Sequence, residues 1–343
     1  MPKHNFDFPK GRIEVFEISS SAVSNNILGD PTVRQVAIYL PDDYDNNADD
    51  YPLLVDIVGF TGSGLGHTGW KAFGESVPQR VERLVREEKM GRVIVAFPDC
   101  FTSLGGNQYI NSSVMGNWAD FLVDEMLPQI EDRYRVRSGR ESRGLFGKSS
   151  GGYGAIVHGM LYADAWGAIA CHSGDMAFDW VYRNDFPKTV MHLQQYDGDI
   201  AAFMENIEKS RKISGDDMHA LMILAMAATY DPAPDLPYGV RLPVDTETSE
   251  LDSDLWSRWL EWDPINLIER INVQENLRSL KGLFIDCGKQ DQYGLVFGAR
   301  MLKKELDRLG IEHTYEEFSD NHSSIDYRMD VSLPYLYQKI CGI

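Results

Sequence analysis

No stretch of this 343-residue chain stays apolar long enough to cross a bilayer, and the start, Met1-Pro2-Lys3-His4-Asn5-Phe6-Asp7, lacks the apolar core of a signal peptide. Those two absences set the expectation of a soluble, cytoplasmic protein with no membrane partner. Positive charge is also scarce. The chain has 33 Lys and Arg against 52 Asp and Glu, a net charge of −19 with no compensating basic block, which argues against nucleic acid as a partner. Cysteine is sparse: Cys100, Cys171, Cys287 and Cys341 stand without any Cys-x-x-Cys spacing, so buried free thiols are expected rather than disulfides or metal ligands. No His-Glu-x-x-His run occurs, and neither a catalytic metal nor a cofactor is expected. Homo-oligomer formation is left open.

Two nucleotide-binding patterns fail in detail. Gly147-Lys148-Ser149 resembles the end of a phosphate-binding loop, but its required first glycine falls at Ser142. Gly62-Ser63-Gly64-Leu65-Gly66 lacks the late glycine of a dinucleotide fingerprint, position 67 being His67.

The chain does hold a large apolar reserve, 43% of its residues, enough for a sizeable core. Arg12–Ile18 and Val33–Leu40 alternate like edge or hairpin strands. Leu53–Val58 is a continuous apolar run, as expected of a strand covered on both faces. Val77, Val81, Leu84 and Val85 recur at helical spacing, Arg92–Phe97 is again a strand, and Trp118–Met126 a helix. This alternation predicts an α/β fold, a mostly parallel sheet with helices on both faces. The rhythm breaks after the strand Trp166–Cys171 and resumes at Gly282–Asp286, the helix Leu295–Leu309, the strand Thr314–Phe318 and a last helix near Ser332–Ile340. The expected organisation is therefore a core over residues 1–175 and 267–343, interrupted by a helical cap insertion at 176–266 with helices at Ile200–Ile213, Asp216–Thr229 and Leu251–Trp262.

The segment Gly144–Ala155 carries the chemistry. An apolar strand enters the turn Gly147-Lys148-Ser149-Ser150-Gly151 and leaves as a helix. This pattern predicts a nucleophile elbow, in which a sharp strand-to-helix turn holds the hydroxyl of Ser149 clear of the sheet. A serine hydroxyl needs a base, and the base needs a carboxylate to orient it. In this chain order the acid and the histidine follow the serine. Only His313 and His322 lie late enough; His313 heads a strand, whereas His322 sits in the polar loop Ser319–Ser324 and is the expected base. Asp291, after the strand ending at Asp286, is the expected acid, with Asp286 and Asp175 as rivals. The oxyanion is expected to meet the N–H groups of Ser150 and of Phe60, with Thr61 as the alternate to Phe60. Tyr109, His172 and Met222 are expected substrate contacts. Met218, Met222 and Met226 recur every fourth residue, so the buried side of a helix competes with an acyl pocket as their explanation.

With these residues in view, the chain resembles the esterase family of α/β-hydrolases that includes S-formylglutathione hydrolase (esterase D-like), enterochelin esterases, feruloyl esterases and mycolyltransferases. The resemblance rests on Gly147–Ala155, on Asp286-Cys287-Gly288-Lys289-Gln290-Asp291, on Asn321-His322, and on Tyr109–Asn111 through Trp118–Phe121. It covers about residues 12–175 and 275–340. It implies the α/β-hydrolase fold and acyl chemistry through an acyl-serine on Ser149, with Asp291 as acid and His322 as base. Two features depart from the family: Val58-Gly59 stands where a His-Gly pair is usual, and the insertion is long for an S-formylglutathione hydrolase. The expected activity is a serine carboxylesterase acting on a small-molecule ester. A thioesterase or acyltransferase would use the same residues, and a non-catalytic binding protein on the same fold is the reading from another class.

Overall fold

The computed structural model describes residues 4–342. Its apolar runs become eight strands: β1 (Arg12–Ser19), β2 (Val33–Leu40), β3 (Leu53–Ile57), β4 (Ile94–Pro98), β5 (Arg143–Lys148), β6 (Ala168–His172), β7 (Gly282–Gly288) and β8 (Thr314–Phe318). They pair in the order β1-β2-β4-β3-β5-β6-β7-β8. Contacts of β2 with β1 and with β4 are antiparallel, and every other neighbouring pair is parallel. This is the α/β-hydrolase fold.

The pleat sorts the core into two layers. Leu54, Phe146, Ala170 and Phe284 pack with Val81 and Leu84 of the helix Val77–Arg86 and with Leu333 and Leu336 of the helix Met329–Cys341. Their neighbours Val55, Leu145, Ile169 and Ile285 join Ile156 and Val157 of the helix Ser150–Leu161 in the other layer. Both faces of the central strands are thus apolar, which is why they read as unbroken runs rather than as alternation.

Parallel strands need crossovers, and the one between β6 and β7 is long. It contains the helices Phe186–Leu193, Ile200–Lys209, Gly215–Tyr230 and Ser253–Leu260 and, apart from one bridge between Val244 and Leu251, no strand among the described residues. Its buried Phe178, Phe203, Leu224 and Trp259 belong to the same apolar cluster as Leu145 and Ile169 of the sheet. The helix expected to reach Ile213 stops at Lys209 because Ser214 is committed to the next one. Ser214 Oγ accepts from Asp217 N at 3.0 Å, and Asp217 Oδ2 accepts in return from Ser214 N at 3.0 Å.

One buried titratable group gives the fold a pH dependence. His158 lies in the helix Ser150–Leu161, its Nε2 2.8 Å from the Tyr109 carbonyl and its Nδ1 accepting from Trp166 Nε1 at 3.1 Å. Burial pushes its pKa down to about 4, only partly opposed by the Tyr109 carbonyl. In the unfolded chain a histidine takes a proton near 6.5, so between the two values the unfolded state binds more protons and stability falls as pH drops. The loss from this residue approaches about 3 kcal/mol at pH 4. Urea midpoints for wild type should therefore decline between pH 7 and 4.5 more steeply than for His158→Gln; equal slopes would assign the acid sensitivity elsewhere.

Candidate active site

β5 ends at Lys148 and the next helix begins at Ser150, so Ser149 alone turns the chain. It does so at φ 58° and ψ −123°, a conformation that L residues rarely adopt and that needs outside support. The support is close backbone packing. A Cβ on Gly147 would lie 2.3 Å from the Ile57 carbonyl oxygen, and one on Gly151 would lie 2.1 Å from it, so both positions exclude side chains. Ser149 N donates to the His172 carbonyl at 3.0 Å, and the Ser149 carbonyl accepts from Tyr153 N at 2.8 Å. The half-buried Ser149 side chain is left on the wall of a cavity of about 340 Å³ at the C-terminal edge of the sheet.

His322 and Asp291 come from adjacent loops beyond β8 and β7. Lys289 N donates to the Phe318 carbonyl at 2.8 Å and Gln290 N to the Asp320 carbonyl at 3.0 Å, which ties the two loops together. His322 Nδ1 then lies 2.8 Å from Asp291 Oδ2, while Asp291 Oδ1 accepts from Tyr293 N at 3.0 Å. Gln292 Oε1 accepts from His322 N at 3.0 Å, and the Tyr293 ring meets the imidazole edge-on at 5.0 Å. With Nδ1 engaged, Nε2 is the ring nitrogen left to act, and His322 lines the same cavity as Ser149.

The rival acids are occupied differently. Asp286 is fully buried, with Oδ1 2.7 Å from His172 Nδ1 and Oδ2 accepting from Arg328 Nε at 2.7 Å. Asp175 lies on the cavity wall, where it accepts from Tyr182 Oη at 2.9 Å and Gln108 Nε2 at 3.1 Å, and burial pushes its carboxyl up. His313 Nδ1 sits 2.8 Å from the carbonyl of Ile311, two residues earlier in the chain, and His313 is absent from the cavity lining.

Phe60 and Thr61 are in the loop after β3, which Gly106 N holds by donating to the Phe60 carbonyl at 2.7 Å. Neither the Phe60 N–H nor the Ser150 N–H meets a protein acceptor among the described residues. Both flank the cavity, an arrangement able to receive a developing oxyanion.

Two expected substrate contacts lie elsewhere. Tyr109 is buried under the loop after β3: its hydroxyl donates to the Val58 carbonyl at 2.6 Å and accepts from Val58 N at 2.8 Å. His172 is buried between Asp286 and Ser332, whose Oγ is 2.8 Å from its Nε2. Both sit at the sheet's C-terminal edge as expected, but an overlying loop in one case and the last helix in the other close them off. Met222 lines the cavity with Met218, whereas Met226 is buried with its sulfur 2.7 Å from Gln108 Nε2. Sequence reasoning missed Tyr182, His219, Tyr293, His67 and Lys148 on the cavity wall. Of these, Lys148 and Tyr293 stand beside expected catalytic residues and His67 directly follows the glycine run Gly62–Gly66, while nothing in the local pattern marks Tyr182 or His219.

Among known proteins, the family model described as "Putative esterase" matches residues 31–331. Esterases from two strains of Mycobacterium tuberculosis are 29% identical over 158 residues, 44% of this chain and 30% of theirs, so the match spans less than a third of those relatives' length. A ferulic acid esterase superposes with a TM-score of 0.61 at 18% identity, over 96% of this chain and 98% of the other. An S-formylglutathione hydrolase from Agrobacterium tumefaciens gives 0.57 at 16% identity, over 99% and 100%. At such identities the structures speak for the fold alone. The family match, running from the start of β2 through the serine turn and both loops that bear Asp291 and His322, places the chain in the esterase family of α/β-hydrolases, to which it belongs.

Proposed function

We propose that the protein is a serine carboxylesterase with Ser149 as nucleophile, His322 as general base and Asp291 as its orienting acid. The observation that carries this reading is the positive-φ serine and the Asp291-bound imidazole on the wall of one cavity. In the reaction, His322 Nε2 takes the Ser149 proton as Oγ attacks the ester carbonyl. Asp291 stabilises the imidazolium, and the N–H groups of Ser150 and Phe60 hold the oxyanion. Collapse of the intermediate breaks the bond to the alcohol oxygen, which leaves with the proton from His322. Water, deprotonated by the same imidazole, then attacks the acyl-serine and releases the acid.

Residues 176–266 serve in this reading as a cap that sets acyl length, since Val181, Tyr182, Met218 and Met222 line the cavity. The methionine and valine walls are apolar and adaptable, and a space of about 340 Å³ suits short to medium acyl chains. A cytoplasmic setting belongs to the same reading, supported by four free cysteines. The test is a 4-nitrophenyl ester series from acetate to long chains, run beside labelling with a fluorophosphonate. Hydrolysis that peaks below about eight carbons, with the label on Ser149, is the expected outcome. Labelling without hydrolysis of any oxygen ester would move the reading to a thioesterase or acyltransferase, and no labelling would favour a non-catalytic binding protein.

A further inference from the structure

Lys148 closes β5 immediately before Ser149, and its register partners across the sheet form a polar row beyond the apolar layer: His172, Asp286 and Glu316. Each of those three is engaged. His172 binds Asp286 and Ser332, and Arg328 bridges Asp286 and Glu316. Lys148, at the end of the row, lines the cavity, and its ammonium has no hydrogen-bond or ion-pair partner among the described residues. Burial lowers its pKa, opposed only in part by the charges of Asp326 and Asp291.

The charged groups nearby are already paired with each other. His67, in the turn Gly64–Thr68, has Nδ1 2.6 Å from Asp56 Oδ2, and Lys71 Nζ is 2.7 Å from Asp326 Oδ2. Burial alone would discharge the imidazole, but Asp56 outweighs it and raises the His67 pKa. Asp326 feels the charges of Lys71, His67 and Lys148 together, and Asp326, His67 and Lys148 all line the cavity. Asp56 and Asp326 are thus engaged by His67 and Lys71, and Lys148 is left on the cavity wall with no hydrogen-bond or ion-pair partner of its own among the described residues, inside a protein of net charge −19. A half-buried cation without a partner is costly, and an anion bound beside it would recover that cost.

We propose that Lys148 binds a carboxylate carried by the ester substrate, so that the preferred substrates are anionic esters. This rests on the esterase reading above. The carboxylate could belong to the acyl part or to the alcohol part, and paired substrates separate the two: 4-nitrophenyl hydrogen glutarate against 4-nitrophenyl valerate, and 3-carboxyphenyl acetate against phenyl acetate. In one pair the anionic-to-neutral ratio of kcat/KM should fall about tenfold on Lys148→Met, mainly through KM, because a charge-assisted hydrogen bond is lost. Lys148→Arg should keep most of the preference, and Asp326→Asn should raise it by removing a competing carboxylate. Because each ratio is taken within one variant, a loss of folded protein cancels. Equal ratios in wild type and Lys148→Met for both pairs would overturn the proposal. Calorimetric titration with monomethyl glutarate and 3-hydroxybenzoate separates the two readings if no ester is cleaved. Binding lost in Lys148→Met would then leave the anion site standing without the esterase, and equal or absent binding would remove the site as well.

Discussion

Ser149→Ala should lower kcat/KM on the best 4-nitrophenyl ester by roughly 10⁴-fold or more while leaving the thermal midpoint within a few degrees of wild type. The Ser149 hydroxyl is half-buried on the cavity wall, so its removal costs little packing. What disappears is the atom proposed to form the acyl bond, and the neighbouring Ser150 belongs to the first turn of the helix, not to the positive-φ position that Ser149 holds. Asp291→Asn should cost about as much, because an amide at 2.8 Å from Nδ1 no longer stabilises the imidazolium or enforces the tautomer that leaves Nε2 free. Asp286→Asn makes a useful contrast. That fully buried carboxylate pairs with half-buried Arg328 and holds His172, so its loss should destabilise the protein by about 3 kcal/mol and leave turnover per folded molecule largely intact. Active-site titration with a fluorophosphonate beside chemical denaturation separates the two kinds of loss. Hydrolysis by Ser149→Ala within tenfold of wild type would sink the mechanism.

The second large effect is structural. In Gly151→Ala the new methyl would lie 2.1 Å from the Ile57 carbonyl oxygen, 2.7 Å from its carbon and 2.9 Å from the Val58 carbonyl oxygen. All three atoms are backbone, so no rotamer change relieves the contact. Either the helix Ser150–Leu161 must back away from β3 or the loop that carries Phe60 must move. A destabilisation of about 3 kcal/mol or more is expected, with activity falling further than the folded fraction because the two N–H groups of Ser150 and Phe60 separate. Gly66→Ala is the control, since a Cβ there meets nothing within 4 Å and should be close to neutral. Matching thermal midpoints for the two variants would show that the turn yields more easily than its geometry indicates.

The legible parts share a cause. The turn around Ser149 is written in the chain because only glycine fits at 147 and 151, and the loops bearing Asp291 and His322 are marked by polar residues after a continuous apolar strand in one case and after the mixed strand Thr314–Phe318 in the other. Helix ends were less legible where capping decided them, as at Ser214, since an apolar pattern runs on past the last hydrogen-bonded turn. Tyr109 and His172 were misread for a related reason: their positions at the end of the sheet were right, but whether a side chain there sees the cavity depends on what lies over it.

What the sequence by itself determined is therefore local and periodic: strands and helices from apolar spacing, the serine turn from glycine, and the order along the chain of the serine, acid and histidine proposed to act together. Tertiary structure decided which polar groups meet. That Asp291 and not Asp286 meets His322 depends on Arg328, just before the last helix, and Ser332, within it, which engage Asp286 and His172 from more than forty residues away. The open charge of Lys148 likewise emerges only once Asp56 and Asp326 are taken by His67 and Lys71. Periodicity reports burial along one element, whereas pairing of charges is settled between elements, and no local pattern encodes it.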